Sequence, residues 1–295
     1  MFGLQKYALA KSPDKNPNVW ARIFAIIISY IIVGGMFQLV GGSLMGIDVT
    51  NRDLQKSTSQ FFLLILFGFL GTFLAFYLFI KYVDKEAFVQ LGFKSYNYKR
   101  EVVLGILMGL ASMGIGSLVL AFFNQLIFVK ILLLPSEVFL TIILYLLVAI
   151  MEEVLFRGYI LRKLMRAIDI HWALIISSMI FALMHAMNPH ATWIGLANIF
   201  LSGILLGLGF IYTKNLWFPI ALHFSWNLFQ SFFGFNVSGE DTYTIIEWNR
   251  LENNIFNGGD FGFEGSVLCL VIQVFLILMV AYFFNQKCPK TDRSS

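Results

Sequence analysis

Apolar runs separated by short polar connectors fill most of the chain, at residues 23–41, 61–82, 102–128, 138–156, 172–187, 193–212, 216–235 and 267–284. A helix rises 1.5 Å per residue, so crossing a hydrocarbon core of roughly 30 Å takes about 20 apolar residues. The pattern predicts an all-α, polytopic membrane protein with about eight transmembrane helices around a central polar cavity. Residues 1–295 read as a single integral membrane domain, with a motif-bearing core at 138–235. The fourth and fifth runs are short for a span and carry polar residues. Helix ends that line a cavity would account for both facts.

Composition supports this reading. The chain is 58% hydrophobic and 13% charged, whereas soluble domains carry about a quarter charged residues. Its first twenty or so residues are polar, and a cleaved signal peptide would show a short apolar core much earlier. Cys269 and Cys288 have no partners at metal-site spacing, which argues against a disulfide framework. No internal repeat is evident, which counts against transporter folds built from related halves. Gly105/Gly109 and Gly203/Gly207 have the spacing that lets membrane helices approach closely.

Charge sets the expected orientation. Loops on one side hold Lys6, Lys11, Lys15 and Arg22; Lys81, Lys85, Lys94, Lys99 and Arg100; Arg157, Arg162, Lys163 and Arg166; Lys214; and Lys287, Lys290 and Arg293. These are 17 of the 21 basic residues. The opposite loops hold Arg52, Lys56, Lys130 and Arg250. The bias places both termini in the cytoplasm of a multi-pass cell-membrane protein. It also explains the pI near 9.0 without nucleic acid, because the basic residues flank apolar runs instead of forming a patch. The last outer loop, 236–265, is acidic, with Glu240, Asp241, Glu247, Glu252, Asp260 and Glu264 against Arg250. The inner connector 84–100 reads as an ordinary solvated loop.

Three polar clusters interrupt the apolar core: Glu152-Glu153-x-x-x-Arg157, Phe181-x-x-x-His185 and His223-x-x-x-Asn227. Ionisable groups in a bilayer are costly and survive where they pair, line a wet cavity or do chemistry. At i, i+4 spacing on a helix, Glu153 and Arg157 face one another, while Glu152 is turned away by about 100°. One carboxylate is thereby neutralised and its neighbour left free, as a general base requires. The plainer reading is a helix end at the cytoplasmic border with Arg157 snorkelling to the surface. His223 and Asn227 point the same way, four residues after Pro219 sets the helix start. Neutral polar pairs can also merely hold helices together. Asp169 reads as a cap ahead of the fifth span, and His171 and His190 read as interfacial residues.

Taken together and in this order, the motifs resemble those of the CAAX-prenyl-protease and bacteriocin-processing (Abi) family of intramembrane proteases. The stretch 152–227 that carries them is about a quarter of the chain. The resemblance implies a membrane endopeptidase whose cavity opens toward the cytoplasm. By the same resemblance, Glu152 would activate water with His185, His223 and Asn227 would stabilise the oxyanion, and Glu153 and Arg157 would support Glu152. The implied partner is a protein or peptide substrate, lipidated or not, within membrane lipid. No cofactor is favoured. Zinc held by the two histidines and a glutamate is the alternative, although asparagine is a poor zinc ligand. Two other functions stay open: a non-catalytic binding or immunity protein using the same cavity, and a transporter using Glu152 and the histidines as a relay. Counted along the predicted spans, His223 and His185 lie at different depths, a conflict that only a structure resolves.

Overall fold

The computed structural model describes residues 4–9, 18–48, 56–93 and 98–286. Lys11, Lys15, Arg52, Lys94, Lys287, Cys288, Lys290 and Arg293 lie outside the described residues. The described chain is a helical bundle. Helix α1 spans Val19–Leu44 and α2 spans Thr58–Leu78, which runs on through a π-helical turn to Asp84. Ser57 and Gln60 start α2 with a reciprocal capping box, which satisfies two otherwise unpaired backbone donors. Helix α3 spans Tyr98–Phe122. Next comes α4, Pro135–Glu153, then a π-helical segment, Val154–Leu161, and α5, Arg162–Ala167. Helices α6 (Ile170–Met184), α7 (Trp193–Thr213), α8 (Trp217–Phe232) and α9 (Val267–Gln286) complete the bundle.

Six of these helical stretches are long and apolar enough to cross a membrane, so the chain is a multi-pass membrane protein. The fourth expected span is not short. It belongs to an unbroken 33-residue stretch, Pro135–Ala167. The charged residues that seemed to end it are accommodated inside the protein. Helices α6 and α8, with 15 and 16 residues, are the short ones. The third run ends earlier than expected. Beyond Phe122 the chain turns at Asn124 (φ 57°) and forms β1, Ile127–Ile131, paired antiparallel with β2, Ile246–Asn249. Apolar residues there read as helix by hydropathy alone, but strand pairing uses them outside the bundle.

Small residues let the core helices touch. A Cβ on Gly109 would sit 2.1 Å from Ser225 Oγ, and one on Gly203 would sit 2.7 Å from Ser178 Cβ. Thus α3 lies directly on α8, and α6 on α7.

The two ends of the bundle are built differently. At the end that holds the described parts of both termini, Asp84 pairs with Arg22 and stands 3.3 Å from Lys163 Nζ. Glu86 accepts from Arg162 at 2.5 Å and Lys163 at 2.9 Å. The 84–100 connector is therefore an anchor in its first turn, not a plain solvated loop. Arg162 and Lys163, expected in a loop, are helical and 4% and 2% exposed. Partial burial opposes ionisation of Glu86, but its two cationic partners outweigh that and hold its carboxyl at about 2. Asp169 accepts from His171 N and caps α6 as expected, and this backbone donor holds its carboxyl below the usual range. The opposite end carries β1, β2 and the 233–266 connector. There Asn188 Nδ2 donates to Ser238 O, and Tyr243 Oη donates to Leu132 O.

Candidate active site

Glu152 and Glu153 occupy the last turn of α4, where the helix passes into the π-helical segment. π-helical turns concentrate at functional sites because they displace side chains from the α-helical phase. Glu153 is fully buried, and its Oε1 accepts from Arg157 Nη1 at 2.6 Å. Arg157 is 1% exposed and reaches no interface, so the snorkelling reading fails. Its second nitrogen donates to Gly203 O at 3.4 Å, and its guanidinium lies 4.4 Å from the Phe181 ring centre. Phe181 thus serves as a floor. It packs edge-on against Phe156 and lies 4.7 Å from the His185 ring.

Each histidine is oriented through Nδ1. A carbonyl can only accept, so His185 Nδ1 donates to Phe181 O at 2.8 Å. His223 Nδ1 contacts Glu153 Oε1 at 2.8 Å, so one carboxylate oxygen serves both Arg157 and His223. Both Nε2 atoms are thereby aimed at Glu152 Oε2, at 3.8 Å from His185 and 3.9 Å from His223. These separations are long for a direct hydrogen bond. Glu152 Oε2 makes none.

Glu152, His185, His223 and Asn227 line one cavity of about 460 Å³. His185 lies at the C-terminal end of α6 and His223 within α8, and although both helices start from the same end, the two Nε2 atoms stand within 4 Å of Glu152 Oε2. Asn227, one turn beyond His223, is 6% exposed. Glu153 and Arg157 stand behind the cavity wall and do not line it. The cavity also takes in Tyr30, Ser202 and Ser238, which the sequence did not single out, and Glu240 and Glu264, which it marked only as part of an acidic loop. Glu264 is held by Ser238, whose N and Oγ both donate to it at 2.8 Å. Among the described residues, no group of three or more His, Cys, Asp or Glu side chains is set to hold a metal ion.

The cavity's outer lining comes from Lys56, Met187, Asn188, Pro189, Val237 and Glu240, all on connectors opposite the termini end.

The multi-pass helical bundle thus buries the Glu153, Arg157 and His223 contacts beside a second glutamate, Glu152, that faces the cavity. Residues 134–229 match the family model described as Type II CAAX prenyl endopeptidase Rce1-like. This bears out the resemblance carried by the three motifs. No curated protein matches the chain.

Proposed function

We propose that this protein is an intramembrane endopeptidase of the CAAX-processing type, hydrolysing a peptide bond in a membrane-associated or lipidated protein or peptide. The observation that carries the reading is the placement of Glu152 Oε2 opposite two histidine Nε2 atoms in a cavity shared with Asn227. A water within reach of both Glu152 and His185 gives its proton to Glu152 as it attacks the carbonyl carbon. His223 and Asn227 face the carbonyl oxygen as negative charge develops there. Glu153 and Arg157 fix the His223 ring and do not touch substrate. Glu152 then returns the proton to the leaving amine.

The metal-free form is favoured because Asn227, next to His223 on the cavity wall, is a poor zinc ligand. In a zinc form, Glu152, His185 and His223 would close around the ion and Lewis-acid activation of water would replace the carboxylate base. A strong chelator should leave metal-free activity intact, whereas zinc-dependent activity would disappear and return on adding Zn²⁺. The proposal as a whole is tested by comparing membrane and secreted polypeptides from cells carrying the wild type or Glu152→Gln. Polypeptides that change length only with the wild type support hydrolysis. A stoichiometric complex without cleavage would favour the binding or immunity function, and solute flux in vesicles would favour a transporter.

A further inference from the structure

We infer that Glu264, with Glu240 on the same cavity lining, forms a subsite for a basic side chain, so that peptides carrying Lys or Arg close to the cleaved bond are preferred. The cleavage itself rests on the proposed function. The subsite stands on separate observations.

Glu264 is a buried carboxylate without a cation. It is 6% exposed and lines the cavity that holds Glu152, His185 and His223. The two hydrogen bonds from Ser238 to its Oε2 fix the side chain and bring no positive charge. Among the described residues neither Glu264 nor Glu240 belongs to an ion pair, and Lys56, also on the lining, pairs with neither. Asp84 and Glu153 are buried differently. Asp84 faces Arg22 and Lys163, and Glu153 faces Arg157. Taking a carboxylate out of water is costly unless a cation compensates, and at Glu264 that cation is left for a ligand to supply.

The backbone beneath Glu264 is held still. Fully buried Asn198 on α7 donates through Nδ2 to Glu264 O at 2.6 Å and to Ser266 O at 2.9 Å. Gly239 N donates to Phe261 O at 3.0 Å. At Gly262 (φ 95°) an added Cβ would stand 1.8 Å from Asn236 O. The parts of the connector around 238 and 264 are thus locked to each other and to α7. A charged group on a rigid support is what selection of one side chain requires.

A second polar group on the lining also lacks a partner. Trp226, one residue before Asn227, lines the cavity and is 5% exposed, and its Nε1 meets no acceptor among the described residues. Its ring lies 6.5 Å from that of Phe263, the neighbour of Glu264. Buried indole N–H groups normally find an acceptor. A peptide in the cavity supplies both missing groups, a backbone carbonyl for Trp226 and a cation for Glu264. The apolar stem of Lys or Arg suits the Leu205, Leu206 and Val237 lining.

The test uses the full chain in detergent and a library of internally quenched peptides that share an apolar frame. Each position in turn carries Lys, Arg, Gln or Glu. At one position, kcat/KM for Lys or Arg should exceed that for Gln by about 30-fold or more, with Glu the poorest. Glu264→Gln keeps an oxygen that accepts from Ser238, so its unfolding temperature should hold while the Lys-to-Gln ratio falls close to one. No preference in the wild type, or a preference that survives in Glu264→Gln, would overturn the subsite. Should Glu264→Gln fail to accumulate, the same ratio is read in Glu240→Gln, where a drop supports the subsite and an unchanged ratio overturns it. Binding separates the subsite from the chemistry. Fluorescent versions of the Lys and Gln peptides are titrated onto Glu152→Gln and onto the double variant with Glu264→Gln. Tighter binding of the Lys peptide, lost in the double variant, supports the subsite even if the wild type cuts nothing, in which case the proposed catalysis alone fails. Equal binding of the two peptides to Glu152→Gln overturns the subsite and leaves the catalysis standing.

Discussion

Two clusters of buried ionisable groups lie on the same long helical stretch, and they differ in one respect. In the termini-end cluster, Arg162 and Lys163 meet Asp84 and Glu86, and both carboxylates face cations. In the cavity cluster, Glu153 is committed to Arg157 and His223, while Glu152, its neighbour in sequence, has no cation and faces open space. Burial of charge alone therefore does not mark chemistry. A carboxylate kept free beside partners that hold everything around it still is the better sign, and on the proposed function it is what sets the cavity cluster apart from a clamp.

The sharpest way to test that contrast is to neutralise the free carboxylate. Glu152→Gln keeps the shape and removes the base. Hydrolysis should fall by about 10²–10⁴-fold, with abundance in the membrane unchanged by quantitative blotting. Arg157→Ala should instead lower both abundance and activity. It strands Glu153 as an unpaired buried charge, and breaking a buried pair costs about 3–5 kcal/mol. Similar losses of abundance in the two variants would mean that the cavity cluster is another clamp.

Asn227→Ala comes next. Removing one donor to a developing oxyanion typically costs about 10²–10³-fold in kcat, and KM for a cleaved peptide should stay close to wild type. A matching rise in KM would move Asn227 from the transition state to substrate binding. Smaller still is the effect of Glu86→Gln at the other cluster. Turnover should be unaffected, and the apparent unfolding temperature in detergent should drop, because Lys163 keeps Asp84 but Arg162 loses its carboxylate.

The Glu86 carboxyl is also the one whose pH response is defined. Held at about 2 instead of its usual 4.5, it contributes stability that is fully present above pH 4.5 and fades as pH falls toward 2. Wild type should lose unfolding temperature across that window more steeply than Glu86→Gln. Equal slopes would remove Glu86 from the list of stabilising groups.

Much of this was legible in the chain because it is local. The i, i+4 spacing of Glu153 and Arg157, the paired glycines and the Asp169 cap are properties of one helix or one helix contact. The long fourth stretch was not, because Arg162 and Lys163 look like a helix end until Glu86, far away in sequence, supplies their partner. Glu264 and Ser238 were missed for the same reason. They join the cavity only after a long connector folds back over α6 and α8.

The π-helical segment between the two clusters works as a gear. It holds Glu152 and Lys163 at a set angular offset along one stretch, with Gly158 at its centre packed close to Leu91 O. Each residue of an α-helix turns the chain by about 100°, so deleting one residue within 154–161 would return the segment toward ordinary winding. That would swing the cavity wall out of phase with the clamp. The membrane stretch would keep its composition and nearly its length, yet Glu152 and Arg162 could no longer both face their partners.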